Sequence, residues 1–260
     1  MSNKKILVIG DTQVKPGHCN EYIRHIGEYI VDKRPDEIVC IGDWFDFESL
    51  SSYDRGKRSF EGRRIVEDIK AGKDAMDILF KPLRALAQQQ KSFKKKVYNP
   101  KLTFCCGNHE DRFDRVANDM PEFHGLTGVK TLNLESYGWE VHDFLKPVEI
   151  DGIFFVHFLA NPFTGKPYAG TALAQLKTVG RSFVVGHKQC LDIGIHPRID
   201  GSLQIGIING ACYPHDEAYK GYQGNNHFRG LIMLNEVADG FALPVPVSLQ
   251  WLEKKYSKIS

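Results

Sequence analysis

Cys105-Cys106-Gly107-Asn108-His109-Glu110-Asp111-Arg112 is the stretch on which the reading of this chain turns. Residues 102–106 form an apolar run expected to be a buried strand, Gly107 breaks it, and residues 111–118 have helical character. Asn108 and His109 are therefore expected at the lip of a strand end. An Asn amide oxygen can ligate a divalent cation, and an adjacent His turned elsewhere can donate a proton. Alone, the tripeptide GNH is equally well explained as a polar turn. What the other strands end in decides between the two.

Four other short apolar runs end in polar groups. Residues 5–10, KILVIG, run into Asp11-Thr12-Gln13, and residues 37–41 run into Gly42-Asp43-Trp44-Phe45-Asp46. Between them, Tyr22, Ile23, Ile26, Tyr29 and Ile30 recur at helical spacing, so the unit is strand–helix–strand with parallel strands. Residues 153–156 end in His157, after an Asp151-Gly152 hairpin signal, and residues 182–185 end in Gly186-His187-Lys188-Gln189. In open α/β sheets, sites collect outside the carboxyl ends of strands. Further strands are expected near residues 191–195, 203–208, 230–237 and 241–245, a β-rich second half that predicts a second sheet packed on the first.

Between the second and third of these strand ends lies a helical insertion at about residues 47–100. Ile65, Ile69, Gly72, Met76, Leu79, Leu83 and Leu86 follow helical spacing, with a kink expected at Pro82, and KSFKKK follows at residues 91–96. The apolar stripe is expected to be core, and the lysines a solvated helix end. An overhang of part of this insertion across the site, with the lysines meeting a phosphate backbone, is the further expectation to be tested.

The bulk properties are those of an ordinary globular chain. Its 260 residues are 42% hydrophobic and 25% charged with a formal net charge of +2, which favours a single domain spanning 1–260 and gives no general case for a nucleic-acid or membrane partner. The six cysteines show no CxxC pairing, no apolar segment follows Met1, and no run approaches a membrane span. Those features predict a reducing, cytoplasmic location.

Set in order, DTQ at Asp11, GDWFD at Gly42, GNHE at Gly107, the lone His157 and GHKQ at Gly186 resemble the calcineurin-like metallophosphoesterase superfamily, whose pattern is DxH, GDxxD, GNHE, His and GHxH. Compact members of this kind occur in bacteria and their phages. The resemblance implies an α/β fold, a four-layer sandwich of two mixed β-sheets flanked by helices, with two divalent metal ions. It implies that Asp43 bridges them, that Asn108, His157 and His187 complete one ligand set, and that Asp11, Gln13 and Gln189 complete the other. It also implies that metal-bound water attacks a phosphoester, with His109 as general acid and Asp46 orienting its ring.

Gln13 and Gln189 depart from the family, which has His at both places. A Gln carbonyl is a neutral, harder and weaker donor than imidazole, so this half-site should favour Mn²⁺ or Mg²⁺ over Zn²⁺, with Fe²⁺ and Ni²⁺ as further candidates, and stand weak or empty. Serine/threonine phosphatases of the superfamily resemble GDxxDRG, with an Arg that grips phosphate, whereas Asp46-Phe47-Glu48 lacks it. With His109 retained for a poor alkoxide leaving group, a phosphodiester in a nucleotide or nucleic acid is the expected substrate. Arg55, Arg112 and Arg229 are the alternatives for a distant Arg folding into the site. A phosphomonoesterase remains open, as does a non-catalytic metal-binding scaffold. Residues 221–230 combine glycines with stacking groups, and make His227 and Arg229 candidates for contacting substrate.

Overall fold

A computed structural model of the chain describes residues 4–52, 56–217 and 224–257. Alternation along the first strands builds the layers. In β1 (Ile6–Ile9) and β2 (Glu37–Cys40) every residue is buried, because successive side chains face two different cores. Leu7, Ile9, Ile38 and Cys40 join a helix-facing core, while Ile6, Val8, Val39 and Ile41 join a core shared with a second sheet.

The first sheet adds β3 (Lys101–Cys105) and β4 (Glu140–His142), both parallel, and on its other edge β10 (Gly230–Ala238) and β11 (Phe241–Ser248), both antiparallel, in the order β11-β10-β1-β2-β3-β4. The second sheet has five strands, neighbouring in the order β5 (Val148–Ile150), β6 (Ile153–Phe155), β7 (Ser182–Val185), β9 (Leu203–Asn209) and β8 (Leu191–Pro197). Residues 151 and 152, with φ of 47° and 80°, close the expected β5–β6 hairpin. Helix α1 (Glu21–Lys33) and α2 (Ile65–Ser92) share one core with the outer face of the first sheet, as does the last helix, α5 (Leu249–Tyr256). Helix α4 (Ala172–Val179) covers the second sheet through Ala172 and Leu176. The result is the expected four layers of α, β, β and α, with two mixed sheets.

Helix α2 continues through Pro82, which has no N–H for the Ile78 carbonyl. Its 28 residues span about 42 Å. The first half lies under the Gly42–Phe47 loop, where the Trp44 indole donates to the Gly72 carbonyl at 3.0 Å. The second half carries residues 91–96 away from that loop: Phe93 and Lys95 line a cavity with Arg34, and the Tyr98 hydroxyl donates to the Pro35 carbonyl. Arg34 and Pro35 precede β2, so the lysines lie at the amino ends of the parallel strands, opposite the ends that carry Asp11, Asp43 and Asn108. Residues 91–96 are exposed, as the solvated helix end expected for them, and the alternative in which these lysines meet a phosphate backbone at the site is corrected. A helix this long, packed along the sheet by its apolar stripe, separates its two ends by more than the length of a four-residue strand.

Candidate active site

The site forms where strand ends meet. At the third, α3 (Asn108–Asp119) begins three residues earlier than expected and starts directly at Asn108. Its first turn presents Asn108 and His109. Gly107 and Gly42 sit back to back, so that a Cβ on Gly42 would lie 2.4 Å from the Gly107 nitrogen and a Cβ on Gly107 would lie 2.2 Å from Asp43 Oδ1. Gly42 also has φ +94°, so no other residue suits that corner. This close approach brings the GDWFD and GNHE loops into contact.

Glu110 locks the two together, a role that the sequence did not reveal. Its carboxylate is fully buried and accepts from the backbone N–H groups of Asp43 (2.8 Å), Gly107 (2.8 Å) and Phe45 (3.0 Å). Burial raises its pKa, and the nearby Asp43 charge adds to that rise. The glutamate three residues after Gly107, a capping-box position, was the available signal. The DTQ loop is zipped to the same segment by Gln13 N–H to the Asp43 carbonyl and Val14 N–H to the Trp44 carbonyl, both 2.8 Å.

Within this frame Asp43, Asn108, His157 and His187 converge. Ligand atoms of Asp43, His157 and His187 all lie within 4.8 Å of one another. Asn108 Oδ1 is 2.9 Å from His157 Nε2 and 2.8 Å from His187 Nδ1, and Asp43 Oδ2 is 3.3 Å from His157 Nε2. His157 donates Nδ1–H to the Ile41 carbonyl at 2.9 Å, which leaves Nε2 as the inward-facing nitrogen. Burial lowers the His157 pKa, but the Asp43 charge overrides it and holds the ring up at about 9. Burial and the neighbouring His157 push His187 down to about 4, so His187 is a neutral donor near pH 7. Burial disfavours ionised Asp43, yet His109 and His157 win and hold its pKa well below the usual carboxylate range.

The other predicted residues are Asp11, Gln13 and Gln189, of which Gln13 is tied to Asp43 through its backbone N–H. Asp11 Oδ1 accepts from His187 N–H at 3.1 Å, whereas Asp11 Oδ2 and Gln13 Oε1 are buried with no hydrogen-bond partner. Gln189 Oε1 accepts from the Tyr213 hydroxyl at 2.8 Å. Burial pushes the Asp11 carboxyl up to about 6. Buried, unpartnered oxygens beside convergent imidazole and carboxylate donors fit divalent cations. Gln13, Asp43, His187 and Gln189 all have φ between 41° and 64°, a conformation that non-glycine residues adopt at a cost of order 1–3 kcal/mol each. Such strain clusters at sites where the surroundings impose a geometry.

His109 stands beside this cluster. Its Nδ1 is 3.0 Å from Asp46 Oδ1 and 2.7 Å from the Asp46 carbonyl, and its Nε2 is 3.6 Å from Asp43 Oδ2. Burial lowers its pKa, but the Asp43 and Asp46 carboxylates outweigh that and raise it. Lys15, nearly buried, lies 3.7 Å from Asp46 Oδ2 and is held by Glu217 at 2.8 and 3.0 Å. Arg112 reaches His109 Nε2.

The late-segment candidates are His227 and Arg229. The His227 ring is 6.0 Å from that of Tyr213, and its Nδ1 donates to the Gly224 carbonyl; Arg229 is ion-paired with Asp216 and bonds the Pro214 carbonyl. His227 is linked to Gln189 through Tyr213, whose hydroxyl donates to Gln189 Oε1. Arg55 and residues 221–223 lie outside the described residues.

Among the described residues, no helix is long and apolar enough to cross a membrane. A family model described as calcineurin-like phosphoesterase matches residues 4–193. The Gene 54 protein of Mycobacterium phage L5 is 32% identical over 218 residues, covering 79% of this chain and 80% of that protein. The Gene 54 protein of Mycobacterium phage D29 is 26% identical with the same coverage. Among solved structures, the phosphoesterase Yfce of E. coli is similar over 94% of this chain and 99% of its own, at 10% identity and a TM-score of 0.38. With the family match running from β1 into β8 and a phage relative aligned over most of both chains, this chain belongs to the calcineurin-like phosphoesterase family.

Proposed function

We propose that this chain is a divalent-metal-dependent phosphodiesterase acting on a nucleotide or nucleic acid, with His109 as general acid. The observation that carries the reading is the placement of His109, whose Nδ1 is held by Asp46 while its Nε2 lies 3.6 Å from Asp43 Oδ2, beside a convergent donor set. Asp43, Asn108, His157 and His187 would hold one cation, and Asp11, Gln13, Gln189 and the shared Asp43 a second, with Mn²⁺ favoured by the two amide oxygens. Bound cations of this kind activate water near neutral pH and offset charge on phosphoryl oxygens.

The remaining chemistry belongs to the chain's own groups. His109 protonates the departing oxygen from Nε2, and Asp46 keeps the ring turned toward it. That help matters most for an alkoxide, the poor leaving group of a diester. The position that carries an Arg in phosphatase-like relatives is Phe47, which is buried and stacked between Phe45 and Phe113, each 5.1 Å away. A phosphomonoesterase is the second reading, and the Arg112 guanidinium beside His109 favours it. The six cysteines are unpaired, which supports a reducing cytoplasm.

The test is hydrolysis of bis-p-nitrophenyl phosphate and p-nitrophenyl phosphate by metal-stripped protein titrated with Mn²⁺, alongside His109→Ala and Asp43→Asn. Diester turnover that requires Mn²⁺, drops about 10²–10⁴-fold in His109→Ala and vanishes in Asp43→Asn is the expected result. Preferential monoester turnover would replace the first reading by the second. Turnover indifferent to both substitutions would sink both.

A further inference from the structure

We infer that Arg112 is the residue that grips the substrate phosphate in this site, an inference that rests on the phosphoester chemistry proposed above. Arg112 lies three residues after His109 on α3 and so shares its face of the helix. Nη2 is 3.0 Å from His109 Nε2 and Nη1 is 3.4 Å from the Asp46 carbonyl. A guanidinium only donates, so this contact occupies the Nε2 lone pair, and Nε2 can carry the proton for the leaving oxygen only once Arg112 has turned from it to the phosphate.

What sets Arg112 apart is its partners. Among the described residues no carboxylate pairs with it; its hydrogen bonds go to a ring nitrogen and a carbonyl oxygen. The neighbouring cations are committed elsewhere. Lys15 is held by both oxygens of Glu217, Arg229 by Asp216 and Arg115 by Asp111 at 3.0 Å; the Lys188 ammonium also has a neutral partner, the Gly170 carbonyl at 2.6 Å, but it is Arg112 that bonds the His109 ring. A half-buried guanidinium with neutral partners gains by exchanging them for an anion, and its planar fork matches two phosphoryl oxygens. Phe47, meanwhile, is built into an aromatic stack and supplies no cation from the GDWFD loop. Helix α3 thus brings to the phosphate the charge that this loop lacks, a few ångströms from the proton donor.

The experiment is calorimetric titration of inorganic phosphate into Mn²⁺-loaded wild type, Arg112→Gln and Arg112→Lys, with kcat and KM for both nitrophenyl esters. Gln retains an N–H donor for His109 Nε2 but carries no charge, and the half-exposed position tolerates either side chain. Phosphate should bind about 10- to 100-fold more weakly to Arg112→Gln, with KM raised, and Arg112→Lys should recover part of the loss. Phosphate binding within about threefold of wild type in Arg112→Gln would overturn the inference, and lost turnover alongside it would assign Arg112 to holding the His109 ring. Wild type that binds no phosphate would overturn it too. Wild type that hydrolyses neither ester, yet binds phosphate in an Arg112-dependent way, would refute the proposed function and leave this inference standing.

Discussion

Replacing Glu110 by Gln tests whether the two central loops are held by one buried carboxylate. Three backbone N–H groups converge on its two oxygens, two on Oε2 and one on Oε1, and no water reaches the side chain. A Gln can keep its carbonyl oxygen where Oε2 stands, but its NH₂ then faces the Phe45 N–H, donor against donor. One charge-assisted bond is lost outright, leaving a buried N–H unsatisfied at about 1–3 kcal/mol, and two others become neutral at roughly 0.5–1 kcal/mol each. Relief of the buried charge, whose cost is visible in the raised pKa, returns part of this. The net expectation is a loss of about 2–4 kcal/mol, or roughly 4–7 °C in Tm for a chain of this size. Asp43 would shift with its loop, and a displacement of about 1 Å at this proposed ligand should lower kcat on the order of 100-fold. Urea denaturation and turnover at saturating Mn²⁺ measure the two effects. Stability within 1 kcal/mol of wild type, together with unchanged kcat, would show that the loops hold their shape without Glu110.

Three further outcomes follow from the geometry. The double substitution Gln13→His and Gln189→His should raise bound Zn²⁺ toward two ions per chain by elemental analysis, whereas the wild-type pair should favour Mn²⁺ in the second position; no change in stoichiometry would show that these residues do not ligate. Burial disfavours ionised Glu217, but hydrogen bonds from His215 and Lys15 outweigh it and hold its pKa at about 2, below the ordinary 4.5. A depressed carboxylate pKa stabilises the fold fully above about 4.5 and progressively less as pH falls toward 2, so the stability gap between wild type and Glu217→Gln should narrow by about 1 kcal/mol between pH 6 and pH 3, after allowance for solvent screening; a constant gap would refute the pairing. Exchanging Lys94, Lys95 and Lys96 for Ser should leave cleavage of small and polymeric diesters within about twofold of wild type, because residues 91–96 lie at the amino ends of the strands; a selective loss on the polymer would show that the substrate wraps around to that end.

Strand-end chemistry and apolar periodicity are local properties, and they were legible in the sequence. The five polar strand ends, the strand–helix–strand start, the β5–β6 hairpin and the second sheet all follow from runs of a few residues whose pattern states which faces are buried. Weakly patterned elements were not legible: β4 is three residues long, and α5 buries Leu249, Leu252 and Tyr256 only because α1 and the first sheet are there to receive them. Within the site, residue types named the candidates, but tertiary structure decided their relations. Glu110 reads as an ordinary helix-start acid until the backbone N–H groups of Asp43 and Phe45, more than sixty residues away, close on it. Arg112 and residues 91–96 are alike as basic surface residues, yet one meets His109 and the others meet the far end of the molecule. Charge is a property of a residue, whereas the direction in which it acts is set by long-range packing of the helix that carries it, and no spacing along the chain records that direction.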